Sequence, residues 1–394
     1  MLIVGNVGRP GKPGVIKVED DTIARVRLGS EEKLDLPSDE EVLGGPEILV
    51  TPGLIDIQVN GFGGRSLNLE KTTPEDVVHI TKDLRERGVA LWCPTVTTGS
   101  FQRMSNSLRA IAEACEDSDI ADSIAGIHME GPFISGEDGP RGAHPVEHAR
   151  APDWKEFLRF QDAAGGRIRI VTLAPELPGA TDFIENLTVE GIIPAIGHTG
   201  AAPEQIRQAV QAGARLSTHL GNGAHDYIRR HPNYIWEQLA GDELFASIIP
   251  DGHHLSPSVV KCFIRCKGIE RTILVSDAVS SAGMPPGEYE FSGRAVELTP
   301  EGRVQLKGTP YLAGSALELP GGLPRAAEFA GLPLEDTIRM ATLNPACLLG
   351  IEDRCGTIEA GKDATLSIFR WDEEQATLEP RATVVRGRVV AKPA

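Results

Sequence analysis

The 394-residue sequence has no run approaching the ~20 consecutive apolar residues that a membrane helix needs, so an integral helical membrane protein is excluded. The first residues, Met1-Leu2-Ile3-Val4-Gly5-Asn6, lack the basic and apolar regions of a secretory signal, and a cytoplasmic location is the default expectation. Positive charge is scarce. Lysine and arginine number 39 against 56 aspartates and glutamates, and the net charge of −17 disfavours a general affinity for nucleic acid or anionic lipid. A locally positive anion pocket remains compatible with that sum. The six cysteines form no CxxC pair. In a chain of this size they read as small buried apolar side chains. Cys262 and Cys266, four apart in an expected helix, leave a two-thiol metal pair as an alternative, although no second pair follows at zinc-finger spacing. No internal repeat or low-complexity tract is present.

What the chain does contain is alternation. Residues 1–50 carry short β-type runs at Leu2–Val4, Val15–Val18 and Ile23–Val26, broken by Gly, Pro and Asp. The far end repeats that texture at Thr365–Phe369 and Thr383–Val390, the latter turning at Arg386-Gly387. Neither end can bury a core alone, so residues 1–50 and 351–394 are expected to form one small β-sandwich domain. Between them, across 51–350, eight short apolar runs alternate with helical stretches: Gly53–Val59, Val89–Pro94, Ile124–Met129, Ile168–Leu173, Ile192–Ile196, Leu216–His219, Ala246–Ile249 and Thr272–Val275. Pro74, Pro203 and Pro257 open three of the expected helices, as their fixed φ suits the first helical turn. Strand then helix, eight times over, is the pattern of a (β/α)8 barrel.

In such a barrel the chemistry gathers where strands end, at the carboxyl face. The runs finish in Gln58 and Asn60, His128 and Glu130, His198, His219, Asp251, His253 and His254, and Asp277. Any one of these can simply mark where a strand leaves the core. Glu130, His198 and His219 together offer one carboxylate and two imidazoles, the open three-ligand set of a catalytic zinc rather than the closed four-ligand set of a structural one. Asp277, after the eighth run, suits the proton carrier that such a site needs, with helix N-capping as its bland alternative.

Several segments carry a resemblance. Pro52-Gly53-Leu54-Ile55-Asp56, His128-Met129-Glu130-Gly131-Pro132-Phe133 with Gly142-Ala143-His144, Gly197-His198-Thr199, Thr218-His219-Leu220, Ser276-Asp277-Ala278, Leu312-Ala313-Gly314-Ser315 and Gly356–Ala364 resemble the amidohydrolase superfamily. Within it they resemble the N-acetylglucosamine-6-phosphate deacetylase family, from about residue 45 to 370. The resemblance implies a (β/α)8 barrel with a small β-sandwich, a homodimer, metal ligation by Glu130, His198 and His219, and Asp277 as acid and base. It further implies that His144 contacts the substrate near its acetamido carbonyl. Where many superfamily members have His-x-His on strand one, this chain has Gln58-Val59-Asn60, implying a single divalent metal per subunit that Gln58 approaches through water; neutral amides are poor zinc ligands. Zinc is the first choice, with iron, manganese, cobalt or nickel also accepted by such a ligand set.

For the phosphate, the resemblance implies Asn222, the backbone of Gly223, His254, and an Arg230 reaching across from the neighbouring subunit. Here the family pattern is altered: the chain reads His219-Leu220-Gly221-Asn222-Gly223-Ala224-His225, and His225 and Arg229-Arg230-His231 have no assigned role. The expected reaction is hydrolysis of the acetamide of an N-acetyl amino sugar 6-phosphate, the glucosamine form first and the galactosamine form as alternative. A cyclic-amide hydrolase fits less well, since the strand-one His-x-His is missing. A non-catalytic barrel with a regulatory or scaffold role is the remaining alternative, and it has no chemical need for the full Glu130, His198, His219 and Asp277 set.

Overall fold

A computed structural model describes residues 1–29, 41–291, 293–309 and 311–393. Part of the expected N-terminal segment, residues 30–40, therefore lies outside the described residues. Eight parallel strands form one sheet in strict sequence order: Leu54–Val59, Val89–Thr97, Ile127–Glu130, Ile168–Leu173, Ile193–Ile196, Leu216–Ser217, Phe245–Ile248 and Thr272–Leu274. These follow the eight expected runs to within a few residues. The first strand and the chain after the eighth then join. Asn60 N–H donates to Ala278 O at 2.7 Å, Asp277 N–H to Gln58 O at 3.1 Å, and Val59 bridges Ala278 in parallel fashion. The barrel thus closes at its carboxyl end, through residues of the site itself.

The helices fit their sequence signals. Pro74–Glu86 starts after Thr73, whose hydroxyl accepts from Asp76 N–H while the Asp76 carboxylate accepts from Thr73 N–H, so two otherwise orphaned donors are satisfied. Its face of Val77, Ile80 and Leu84 is buried against the barrel, continuous with Trp92 and Val96 of the second strand. A separate set including Ile55, Ile57, Cys93, Ile170, Ile193, Leu216 and Phe245 packs together as a second core. Alternate strand residues divide between the two, as a barrel packed on both faces requires.

Both termini build a seven-stranded, largely antiparallel sheet, ordered Arg388–Ala391, Thr377–Val385, Leu366–Asp372, Val42–Pro52, Leu2–Val7, Pro13–Glu19 and Thr22–Leu28. Its apolar core takes Ile16, Val18 and Ile23 from one end and Leu366, Ile368 and Val384 from the other, so the sheet folds over onto itself. The buried Arg85 guanidinium ties the barrel together locally, its Nε donating to Ser123 Oγ at 2.9 Å and Nη1 to Asp119 at 2.8 Å, while its carbonyl accepts from Thr383 of the terminal sheet at 2.6 Å.

One element has no counterpart in the sequence reading. Between the eighth strand and the helix Leu319–Ala330, a three-stranded antiparallel sheet runs through Gly287–Phe291, Arg294–Leu298 and Val304–Leu306. Of the cysteines, Cys93, Cys115 and Cys355 are buried as expected, whereas Cys262 and Cys266 are exposed on the helix Pro257–Lys267. That pair belongs to no cluster of ligand-type side chains among the described residues. No described helix is long and apolar enough to cross a membrane.

Candidate metal centre and active site

Three side chains meet on one oxygen. Glu130 ends the third strand, His198 follows the fifth and His219 the sixth. The Nε2 atoms of His198 and His219 lie 3.0 and 2.9 Å from Glu130 Oε1 and 3.1 Å from one another. All three residues are buried. His198 Nδ1 donates to the Pro140 carbonyl at 2.9 Å, which leaves Nε2 as a lone pair facing the cluster, the usual way a ligating imidazole is held. Gln58 Nε2 also reaches Glu130 Oε1, at 3.1 Å, while Gln58 Oε1 and His219 Nδ1 are buried without a partner. Ligands at tetrahedral zinc distances of 2.0–2.1 Å sit about 3.3 Å apart, so this carboxylate and these two imidazoles fit a divalent cation. Glu130 is held well below the usual carboxylate range: burial opposes this, but the two imidazoles outweigh it. His219 is raised, its burial overcome by the Glu130 carboxylate.

The backbone at these positions is unusual. His198, His219 and Asp277 have φ of 52, 29 and 51°, three of the six described non-glycine residues in the left-handed region. Such conformations cost of order 1–3 kcal/mol each and persist where the surroundings fix them. They also explain why the sixth strand stops at Ser217 rather than running on to His219: the chain turns there to aim the imidazole inward.

Asp277 is buried beside the cluster, and Asn60 Nδ2 donates to its Oδ1 at 2.7 Å. Burial, and then the Glu130 charge, push its carboxyl up to about 7. A group poised near neutrality can both take and return a proton. His144 lies with its ring 4.3 Å from that of His198, its Nδ1 in hydrogen-bond contact with Thr98 Oγ1 at 2.8 Å. Burial and then the neighbouring His198 hold it well below the usual imidazole range, so it is neutral at pH 7. Glu130, His144 and His198 each bring a ligand-type atom to within 4.8 Å of the others.

These groups share one cavity of about 740 Å³, which Asn222, Gly223 and His254 also line. His254 Nδ1 is paired with Asp251 Oδ2 at 2.7 Å, the two side chains buried together. Arg230 is not brought to the cavity by its own chain; it sits on an exposed loop beside Tyr227, 96% exposed, and Ile228. His225 bridges two loops at the cavity wall, its Nδ1 3.0 Å from the Tyr234 hydroxyl and its Nε2 3.2 Å from Glu137 Oε2. His128, a strand-end candidate, is a core residue: its ring nitrogens meet Ile57 O at 3.0 Å and Thr172 Oγ1 at 2.7 Å, and burial lowers its pKa to about 4. His253 turns away from the cluster, to the carbonyl of Glu301 at 3.0 Å. Sequence reasoning named Asn60 as a strand-end candidate without a specific role, did not reach Thr98 or the Pro140 carbonyl, and passed over Arg141, Arg294 and Arg303, which line the cavity.

Residues 49–390 match the amidohydrolase family. The chain is 34% identical over 382 residues to the N-acetylglucosamine-6-phosphate deacetylase of Bacillus subtilis, covering 96% of this chain and 93% of that one. It is 30% identical over 318 residues to the N-acetylgalactosamine-6-phosphate deacetylase of Escherichia coli O157:H7, covering 81% and 82%. Among solved structures, a mutant of the Mycobacterium smegmatis N-acetyl-D-glucosamine-6-phosphate deacetylase in complex with N-acetyl-D-glucosamine-6-phosphate superposes with a TM-score of 0.87, at 28% identity, over 100% of this chain and 99% of that one. By the strand-end cluster, the barrel that carries it and these likenesses, the chain belongs to the amidohydrolase family, alongside its amino-sugar-phosphate deacetylases.

Proposed function

We propose that the protein hydrolyses the acetamide of N-acetyl-D-glucosamine 6-phosphate, giving D-glucosamine 6-phosphate and acetate. The observation that carries this reading is the convergence of Glu130, His198, His219 and Asp277 at one cavity whose wall also holds Asn222, Gly223 and His254. A divalent cation held by Glu130, His198 and His219, zinc first, would supply Lewis acidity to the acetamide carbonyl and acidify water near neutral pH. Asp277, oriented by Asn60, accepts the proton of the attacking water. It then delivers that proton to the departing nitrogen, because an amide anion is too poor a leaving group. His144, held at Thr98, stands where the carbonyl oxygen gains charge, and one such donor contributes a few kcal/mol. Gln58 steadies Glu130 through its Nε2, beside the position where it would approach the metal through water.

The same reading includes a cytoplasmic homodimer. The exposed Tyr227, Ile228 and Arg230 on one loop support a second copy docking there, with the partner subunit's Arg230 reaching the phosphate. It also divides the chain into a terminal β domain, 1–50 with 351–394, and a catalytic barrel, 51–350.

The test is acetate release by zinc-loaded enzyme from N-acetylglucosamine 6-phosphate, its galactosamine epimer and unphosphorylated N-acetylglucosamine. The first should show the highest kcat/KM. A preference for the epimer would move the assignment to the galactosamine series, as in the Escherichia coli O157:H7 relative. Equal or better turnover of the neutral sugar would overturn the phosphate reading.

A further inference from the structure

The three-stranded sheet at 287–306 hangs over the cavity and does more than cover it. Its inward face packs Phe291, Val296, Leu298, Val304 and Leu306 with Val279 and Ala313. It is fixed at two opposite points. Arg294 Nη1 donates to the Ala143 carbonyl at 3.3 Å, next to His144, and the Glu301 carbonyl accepts from His253 Nε2 at 3.0 Å, next to His254. A further bond, from Ser280 Oγ to Glu290 O at 2.8 Å, holds its first strand to the chain after Asp277.

Arg303 immediately precedes the last strand of this sheet, two residues beyond Glu301, and lines the cavity half-buried. Two other arginines share that lining, Arg141 on the opposite wall and Arg294 at the other end of the same sheet. Arg141 donates through Nη1 to His144 O at 2.8 Å and pairs through Nη2 with Asp138, so it builds the His144 loop. Arg294 is exposed and latches the sheet to that same loop. Glu301, two residues before Arg303, is bonded to His253, the neighbour of His254, so this end of the sheet is tied to the segment that carries His254.

Charge makes this placement matter. A chain of net charge −17 repels a dianionic ligand at long range, so an anion must be drawn in by cations at the mouth itself. A guanidinium on a half-dehydrated wall matches phosphate with paired donors. Within its own chain Arg230 does not reach the cavity.

We propose that Arg303, carried over the cavity by the sheet at 287–306, is a phosphate-binding residue supplied by the same chain, and that it sets the preference for phosphorylated over neutral N-acetyl sugars. This rests on the deacetylase reading of the site and adds a specificity determinant to it. The contact is independent of any second subunit, so it operates in a monomer as well.

The experiment compares wild type, Arg303→Ala and Arg303→Lys, each metal-loaded and checked for an unchanged thermal midpoint. Arg303→Ala should raise KM for N-acetylglucosamine 6-phosphate by about 10- to 100-fold, as expected for a lost bond to a charged group, with kcat changed little. The weak turnover of unphosphorylated N-acetylglucosamine should stay as it was, and Arg303→Lys should recover part of the loss as a single point charge. Calorimetric titration with D-glucosamine 6-phosphate and with inorganic phosphate supplies a readout that does not depend on turnover. Both ligands should bind Arg303→Ala at least tenfold more weakly. Undiminished phosphate binding, or equal KM changes for phosphorylated and neutral sugars, would overturn the inference while leaving the deacetylase reading intact. Absence of acetate release by wild type would instead overturn that reading, with the inorganic-phosphate titration still deciding the role of Arg303. If Arg303→Ala unfolds, Arg303→Lys and Arg303→Gln carry the comparison.

Discussion

Replacing Asp277 by Asn should cripple the enzyme and stabilise the metal-free protein, and the two effects have one origin. Asp277 is buried, with its Oδ1 2.7 Å from Asn60 Nδ2. An Asn at this position keeps the shape and can keep that bond through its own carbonyl oxygen, but it cannot carry a proton. A positioned acid and base contributes about 10²–10⁴-fold, so kcat should fall by that factor with KM little changed. The stability arm follows from the carboxyl's rise from 3.8 to about 7 on burial. An acid whose pKa is raised in the folded state contributes fully below 3.8, and that contribution is lost as pH climbs to about 7. At about 1.4 kcal/mol per pH unit the burden at neutral pH is on the order of 4 kcal/mol. With an unfolding entropy of about 2 cal/mol/K per residue, the metal-free variant should melt on the order of 5 °C higher at pH 7 and no higher at pH 4. Acetate release and calorimetric melts of chelated protein at both pH values give the two readouts. Activity within tenfold of wild type would remove Asp277 from the reaction, and a lower midpoint at pH 7 would refute the burial argument.

Other sites give independent checks. Chelation should abolish acetate release and lower the thermal midpoint, since a cation bound at a thousand times its Kd stabilises by about 4 kcal/mol. Glu130→Gln should leave less than one metal per chain by elemental analysis, and a full complement with normal activity would sink the ligand assignment. Thr98→Val frees the His144 ring from its 2.8 Å partner and should lower kcat about tenfold without moving KM or metal content. Arg85→Met, far from the chemistry, strands Asp119 and Ser123 and should cost roughly 3 kcal/mol; acetate release at 25 °C should be unchanged, and an unaltered melting profile would show that the buried pair contributes nothing.

The proposed catalytic cluster was legible because a barrel converts distant sequence into one face. Glu130, His198, His219 and Asp277 each stand just past an apolar run, and four such runs separated by helices can meet only at the carboxyl mouth. His128 obeyed the same pattern and is nonetheless a core residue. It stands two positions before Glu130, and its ring meets Ile57 and Thr172 across the barrel wall instead of reaching the cavity. Alternation along a strand tells which residues share a face, not at which depth along the barrel a polar one finds its partners.

Depth and approach also account for what the sequence concealed. Val296-Glu297-Leu298 and Val304-Gln305-Leu306 alternate as a half-buried sheet must, yet alternation cannot say against what such a sheet packs. Its place over the cavity is set by Arg294 on Ala143 and His253 on Glu301, bonds between residues 151 and 48 positions apart. His225 likewise reads as an unexplained substitution until folding brings it between Tyr234 and Glu137, where it ties the loop carrying Pro140 to the loop carrying Asn222. Since the Pro140 carbonyl orients His198, this tie links the altered segment after His219 to the proposed metal centre. A residue that departs from a family's pattern thus acquires its meaning from the partners folding gives it, and for His225 those partners, Glu137 and Tyr234, lie on two segments 97 positions apart in the chain.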